Sequence, residues 1–190
     1  MPKPLGGSDR ASAINMTIYS NTSRSVESIM SHNHAIRTAL QFQGEVLYHS
    51  LYDHLARMKA QHQPFNDLEH ALFILLALPL EAELYGFANV FIHLYSLHEC
   101  IVFENTLETI GLRLIADQFR EARTIYTNDD SSMSEETYRA IDITKAPDRL
   151  RRILQIGDQI LTDQLQQAIA ISLRSYLQHQ CAGMPPLLDP

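Results

Sequence analysis

Little in this chain suits extracellular armour, metal scaffolding or a β-fold. It has two cysteines, Cys100 and Cys181, and no tryptophan. Two cysteines cannot build a framework of several bridges, and these have no CxxC spacing, so a reduced, cytoplasmic setting is expected. Seven glycines and eight prolines in 190 residues, gathered mostly near the ends, argue against a loop-rich fold. Strand-type alternation is hard to find anywhere. The longest apolar run, Ala71 to Leu80, is about half of the ~20 residues a membrane-spanning helix needs; it contains Pro79 and meets Glu81. The N-terminal Met-Pro-Lys-Pro-Leu-Gly-Gly lacks the apolar centre of a signal peptide. No membrane role is expected.

A further absence is one of charge. The net charge is −7, and between Lys59 and Arg113 there is no Lys or Arg. That window holds Asp67, Glu69, Glu81, Glu83, Glu99, Glu104 and Glu108, while the flanks nearly cancel. An acidic centre repels phosphates, so direct nucleic-acid binding there is not expected. It can attract a basic protein partner, or simply form a solvated acidic face.

What is present is helical periodicity over a composition 45% hydrophobic and 19% charged, enough to bury a core. Leu47, Leu51, Leu55 and Met58 recur at helical spacing across 45–60. Asn66 or Asp67 can cap a second, largely apolar helix, which Pro79 is expected to break or kink. Pro79 to Tyr95 then reads as a central helix, with Leu84, Phe87, Val90, Phe91, Leu94 and Tyr95 on one face. Gly86 inside it is either a bend or a small side that admits another helix. Ser96 to Glu99 reads as a turn. Helices are expected over 101–110, closed by Gly111, and over 112–126. A polar loop follows, then a short helix capped by Ser134. Pro147 to Gln180 forms one long candidate helix, roughly 50 Å if straight, with a bend expected near Gly157 or Asp163. Residues 1–23 and 181–190 read as tails, and residues 25–40 as a thin helical stripe interrupted by His32-Asn-His34. The expectation is a single all-α domain over 24–180, of six to eight helices with a long C-terminal helix.

Three stretches in this order resemble a known family. Glu81-Ala-Glu-Leu-Tyr-Gly-Phe-Ala-Asn-Val-Phe91 is similar to its Glu-x-x-Asn-Gly-Gly-Phe-x-x-x-Phe stretch. Thr106-Leu-Glu-Thr-Ile-Gly111 resembles its following Ala-Leu-x-x-Ile-Gly step, and Ala116-Asp-Gln-Phe-Arg-Glu-Ala122 the segment after that glycine. The family is the all-helical DNA-mimic-protein-like group, and order and spacing agree from about residue 45 to 126. The resemblance implies an α-helical fold, often dimeric, without known catalysis. One type of member presents carboxylates in place of DNA phosphates and occupies a transcription factor. Glu81, Gly86, Phe87 and Phe91 match the motif; Glu83, Leu84 and Tyr85 stand where the family has polar residues and a first glycine.

Mimicry places a demand on geometry. A DNA strand carries a phosphate every ~3.4 Å, whereas carboxylates four apart on a helix, such as Glu104 and Glu108, repeat every ~6 Å. One helix cannot copy a duplex; several helices or two subunits are needed.

Catalytic signatures are sparse. His93 and His98 are five apart and do not stack on one helix face, His-Glu-x-x-His is absent, and no metal or cofactor is expected. Glu81 and Glu83, two apart, diverge by roughly 200° on a helix. There is no Gly-rich phosphate loop and no Gly-x-Ser-x-Gly elbow. Cys100 reads as a buried small hydrophobe in preference to a nucleophile, the tyrosines 48, 52, 85 and 95 as core walls, and Arg149-Leu-Arg151-Arg152 as a solvated helix face.

The leading expectation is a non-enzymatic protein that binds another protein through an acidic surface of Glu81, Glu83, Glu99, Glu104 and Glu108, with Gly86, Phe87, Phe91 and Gly111 as its structural motif. The partner is a basic DNA-binding protein if the chain acts as a DNA mimic, or a toxin if it is of immunity or antitoxin type. A different class is a small hydrolase or ligand-binding enzyme with a pocket near Glu81, His93 and Tyr95. A third option is an orphan helical domain whose long C-terminal helix mainly mediates dimerisation, with Leu173 and Tyr176 on it as the positions to vary.

Overall fold

The computed structural model describes residues 39–162 and 164–181. The expected N-terminal tail, residues 25–38 of the expected stripe with the His32/His34 pair, Asp163, residues 182–190 of the expected C-terminal tail and the side chains of Gln180 and Cys181 lie outside those residues. Within them the domain is all-helical, with no strand. Eight helices follow in order: α1 (Gly44–Ala60), α2 (Asp67–Tyr85), the single turn α3 (Phe87–Asn89), α4 (Leu97–Thr109), α5 (Arg113–Thr127), α6 (Glu135–Arg139), α7 (Pro147–Ile160) and α8 (Leu165–Cys181). A π-helical turn, Val90–Leu94, continues α3, and a 3₁₀ turn, Ile143–Lys145, precedes α7. Among the described residues no helix is long and apolar enough to cross a membrane.

Local chemistry sets most boundaries. The Asn66 side chain accepts from the Glu69 N–H at 2.9 Å and Glu69 accepts from the Asn66 N–H at 2.8 Å, a reciprocal box that starts α2. Ser96 and Glu99 form the same box at the start of α4. At the end of α4, Gly111 takes φ +89°, and Gly111 and Leu112 donate to the carbonyls of Glu108 and Leu107. That is the paired closure glycine allows and other residues resist. Arg149 reaches from α7 to the last carbonyls of α5, donating to Ile125 O at 2.9 Å and Tyr126 O at 2.5 Å. The expected basic face therefore divides. Arg149 is half-buried as a cap, while Arg151 and Arg152 pair with Asp148 and Glu121.

One expectation about breaks needs correction. Pro79 does not end a helix: α2 runs through it. A mid-helix proline removes one N–H and crowds the carbonyls one turn back. Here Leu76 O, in that turn, accepts the buried Tyr48 hydroxyl from α1 at 2.5 Å. Residues 72–79 are buried without interruption, so packing holds the helix together where local propensity would end it. Consequently 79–95 is not one central helix. Its first half is the end of α2, and Gly86 (φ +92°), with space around it, bends the chain before α3. The bend is the correct one of the two readings of Gly86.

The bend expected in the long C-terminal stretch, near Gly157 or Asp163, is present and divides it in two. The chain leaves helical geometry at Leu161, and α8 starts at Leu165. Gly157 is not the bend; it lies buried inside α7.

The helices pack as α8 on α1, α1 on α2, α2 on α4, α4 on α5, and α5 on α7, with α3 set between α2 and α7. Between α3, α4, α5 and the π turn lies an aromatic core. Phe119 is its hub, with ring centroids 4.7 Å from Phe103, 5.2 Å from Phe91 and 5.9 Å from Phe87. Tyr126 stacks on Phe91 at 5.6 Å and meets Tyr138 edge-on at 5.1 Å. Phe87 and Phe91 thus pack in the core, whereas Leu84, expected on the same apolar face, is 76% exposed. On the α1–α2–α8 side the core is aliphatic, with Leu47, Leu51, Leu55, Leu75, Ile169 and Leu173 buried. Leu173 is fully enclosed in its own domain, which removes it as a dimer contact.

Tyr48→Phe provides a first test. It deletes the hydroxyl that donates to Leu76 O in the buried contact between α1 and α2, so that carbonyl loses one hydrogen bond. A loss of about 1–2 kcal/mol in urea unfolding, with unchanged helix content, is expected.

Candidate functional site

The π turn decides where one set of polar side chains goes. Tyr95 N–H donates to Val90 O at 3.0 Å, five residues back, and Tyr95 itself is extended (φ −123°, ψ 147°) before Ser96 restarts the chain as α4. π turns are rare in helices and recur at functional sites. Here the turn and the extended residue deliver His93, Leu94 and Tyr95 to one wall of a cleft of about 560 Å³. From α2 come His70, Phe73 and Glu81, from α4 Glu99, and from the end of α1 and the loop after it Lys59, His62 and Phe65. On α2, positions 70, 73, 77 and 81 follow one helical stripe, which is why three cleft residues arise from a single helix.

The floor is aromatic. Phe73 lies 5.5 Å from Phe65 and 6.2 Å from Tyr52, and the Lys59 ammonium sits 4.3 Å above the Phe73 ring. The wall is polar. Burial, then the Glu81 carboxylate beside it, push the Tyr95 phenol far above its ordinary range, so it stays a neutral O–H. Tyr52 is raised for the same two reasons in the same order. Glu99 Oε2 accepts from the Ser96 N–H at 2.8 Å and its hydroxyl at 2.7 Å.

The lining includes no Ser, Thr or Cys among the described residues. Cys100 is elsewhere, fully buried, with its Sγ 3.5 Å from the Tyr138 hydroxyl. Burial pushes its thiol up to about 12, so it remains protonated and packs as a small hydrophobe. Among the described residues no group of three His, Cys, Asp or Glu side chains is arranged to hold a metal ion. The cleft can donate and accept hydrogen bonds, present carboxylates and stack a flat group.

The five glutamates expected to form an acidic docking surface separate into three environments. Glu81 and Glu99 line the cleft. Glu83, exposed at the end of α2, accepts from the Gln166 amide of α8 at 3.2 Å. Glu104 is buried, and Arg123 of α5 grips both of its oxygens, Nε at 2.5 Å and Nη2 at 3.0 Å. Arg120 lies 3.5 Å from Glu104, pairs with Glu108, and pairs with Asp117 at 2.6 Å. Hydrogen bonding to Glu104 and to Glu108 raises the guanidinium pKa values of Arg123 and Arg120 respectively. Two of the seven acids in the cation-free window are thus paired with cations from the next helix. Glu104 is not a surface residue, and Glu108 is already paired. The tyrosines divide too: Tyr48 and Tyr95 are buried, Tyr52 is half-buried, and Tyr85 is 60% exposed and not a core wall.

Glu81, His93 and Tyr95 were legible as a group because they lie within one stretch. Lys59, His62, His70 and Phe73 were not; only the stripe on α2 offered a signal, linking His70 and Phe73 to Glu81. Searches of family models, of curated proteins and of solved structures find no match to this chain.

Proposed function

We propose that this protein binds a small molecule in the cleft walled by Glu81, His93 and Tyr95. The observation that carries the reading is their convergence. Three residues, from α2, the π turn and the extended residue after it, joined by His70 of α2 and Glu99 of α4, face one cavity over an aromatic floor. Its volume falls within the roughly 300–1,000 Å³ range of sites for small organic ligands. Polar groups converging on one cavity are what a binding site requires. The absence of Ser, Thr and Cys from the described lining favours binding over covalent hydrolysis.

The acidic-surface reading, whether as a DNA mimic or as an immunity- or antitoxin-type binder, draws on fewer carboxylates than the sequence suggests. Glu104 is enclosed, Glu108 is paired with Arg120, and Glu81 and Glu99 turn into the cleft.

A fragment screen by amide chemical-shift perturbation tests the proposal. Ligands are expected to shift residues 59–73, 81 and 93–99 together. Glu81→Gln, with one wall charge removed, should weaken the best of them by about tenfold, the loss typical of a hydrogen bond to a charged group, while the unfolding midpoint holds. Shifts confined to other regions, or no ligand from a diverse set, would overturn it.

A further inference from the structure

We infer that the ligand is an organic ammonium: an amine on a small aromatic or apolar body. This rests on the ligand-binding reading above and names the chemistry that the cleft selects.

Three observations converge. First, the aromatic floor already carries a cation. The Lys59 ammonium lies 4.3 Å from the centroid of Phe73, with Phe65 and Tyr52 flanking that ring. The face of an aromatic ring attracts an ammonium through its quadrupole, and more strongly when water is excluded. Phe73 is almost entirely buried, so the face it offers is the one toward the cleft. Second, two carboxylates, Glu81 and Glu99, stand on the walls of the same cavity. Glu99 has given one oxygen to Ser96 and keeps the other. Third, Lys59 is the sole Lys or Arg among the described lining residues, and residues 60–112, which supply the rest of that described lining, contain neither.

An entering anion would meet two carboxylates with one ammonium to offset them. An entering ammonium would meet two carboxylates and an aromatic face. The imidazoles of His62, His70 and His93 and the Tyr95 hydroxyl supply hydrogen bonds that fix a ligand's orientation. Lys59 then has a defined role as a resident occupant. It projects from the last turn of α1 on a flexible stem, is exposed, and makes no salt bridge among the described residues. It covers the Phe73 face when the cleft is empty and swings out when a ligand amine takes that place. The two ammonium groups compete for one ring.

The test uses the full chain at pH 7.5 and two probes of similar size and opposite charge, 2-phenylethylamine and 3-phenylpropionate, each titrated by amide chemical shift. The amine should shift Phe73, Glu81 and Tyr95 with a Kd at least about fivefold below that of the carboxylate. Lys59→Ala, an exposed change that leaves the fold intact, should tighten the amine by roughly two- to fivefold, the equivalent of one cation–π contact no longer displaced. Equal or tighter binding of 3-phenylpropionate, or weaker amine binding by the Lys59→Ala variant, would overturn the ammonium assignment while leaving the cleft as a ligand site. If neither probe binds but uncharged fragments do, the assignment fails in the same way. If nothing binds at the cleft, both readings fail.

Discussion

Glu104→Ala is expected to destabilise the protein by about 3 kcal/mol, the low end of the range for breaking a buried ion pair from one side. The carboxylate is 2% exposed and holds Arg123 through both oxygens. Removing it strands a guanidinium between α4 and α5 that is mostly shielded from water. The reverse change should be milder. Arg123→Ala leaves Glu104 buried, but Arg120 already stands 3.5 Å away and can take over part of the interaction. The double variant should lose less than the two single losses combined, because neither charge is then left alone, with a coupling of about 1–3 kcal/mol. Urea unfolding of the four proteins measures this. The cycle also separates roles. A docking residue would change partner capture while leaving the unfolding midpoint in place; Glu104 should move the midpoint first. A stable Glu104→Ala protein, within about 0.5 kcal/mol of the parent, would show the pair to be an exposed one.

That pair also shows why the sequence carries the fold better than the site. Caps are local: Asn66 and Ser134 sit directly before the helices they start, and Gly111 directly after the one it ends, so each can be read within a few residues. The Ser96–Glu99 box was equally local and its Ser-x-x-Glu spacing was present, yet the pattern reads as a turn when only apolar periodicity is followed. Nonlocal facts are different in kind. Nothing in residues 60–112 reveals that Arg120 and Arg123 lie against Glu108 and Glu104, since that depends on how α4 and α5 face each other. Pro79 misleads for a related reason. Its local effect is to break a helix, and the burial that overrides it comes from neighbouring helices, with Tyr48 answering Leu76 O from 28 residues away. The π turn leaves no composition signal at all, yet it places Tyr95 beside Glu81 and so creates the wall of the cleft. The candidate site was visible to the extent that its residues share one stretch, and hidden where α1 and the first turns of α2 complete it.

Gly157→Ala should be strongly destabilising although it replaces a poor helix former with the best one. In an exposed helix the change would stabilise by about 1 kcal/mol, since glycine gives up more backbone freedom on folding. Gly157, however, is buried at the crossing of α7 and α3. A Cβ added there would lie 2.7 Å from Phe87 Cβ, Cγ and Cδ1. Those atoms cannot yield as the end of a flexible chain would, because Cβ is fixed to the α3 backbone and the ring is held edge-on by Phe91 at 5.5 Å and Phe119 at 5.9 Å. Relief therefore requires α7 to move off α3, or the aromatic hub to reorganise. An overpacking loss of about 3 kcal/mol is expected, well above the propensity gain. The contact predicts its own remedy. In a Phe87→Ala background, already weakened by a cavity, the ring that collides is gone. Adding Gly157→Ala there should cost little or even restore stability, because the new methyl fills part of the space and the helix propensity gain is no longer opposed. Thermal unfolding of the two singles and the double decides the matter. A Gly157→Ala protein as stable as the parent would mean that α3 and α7 are not in contact at this point. The close approach that a glycine permits would then have to be withdrawn, and with it the anchoring of α3, the turn from which the π segment carries Tyr95 into the cleft.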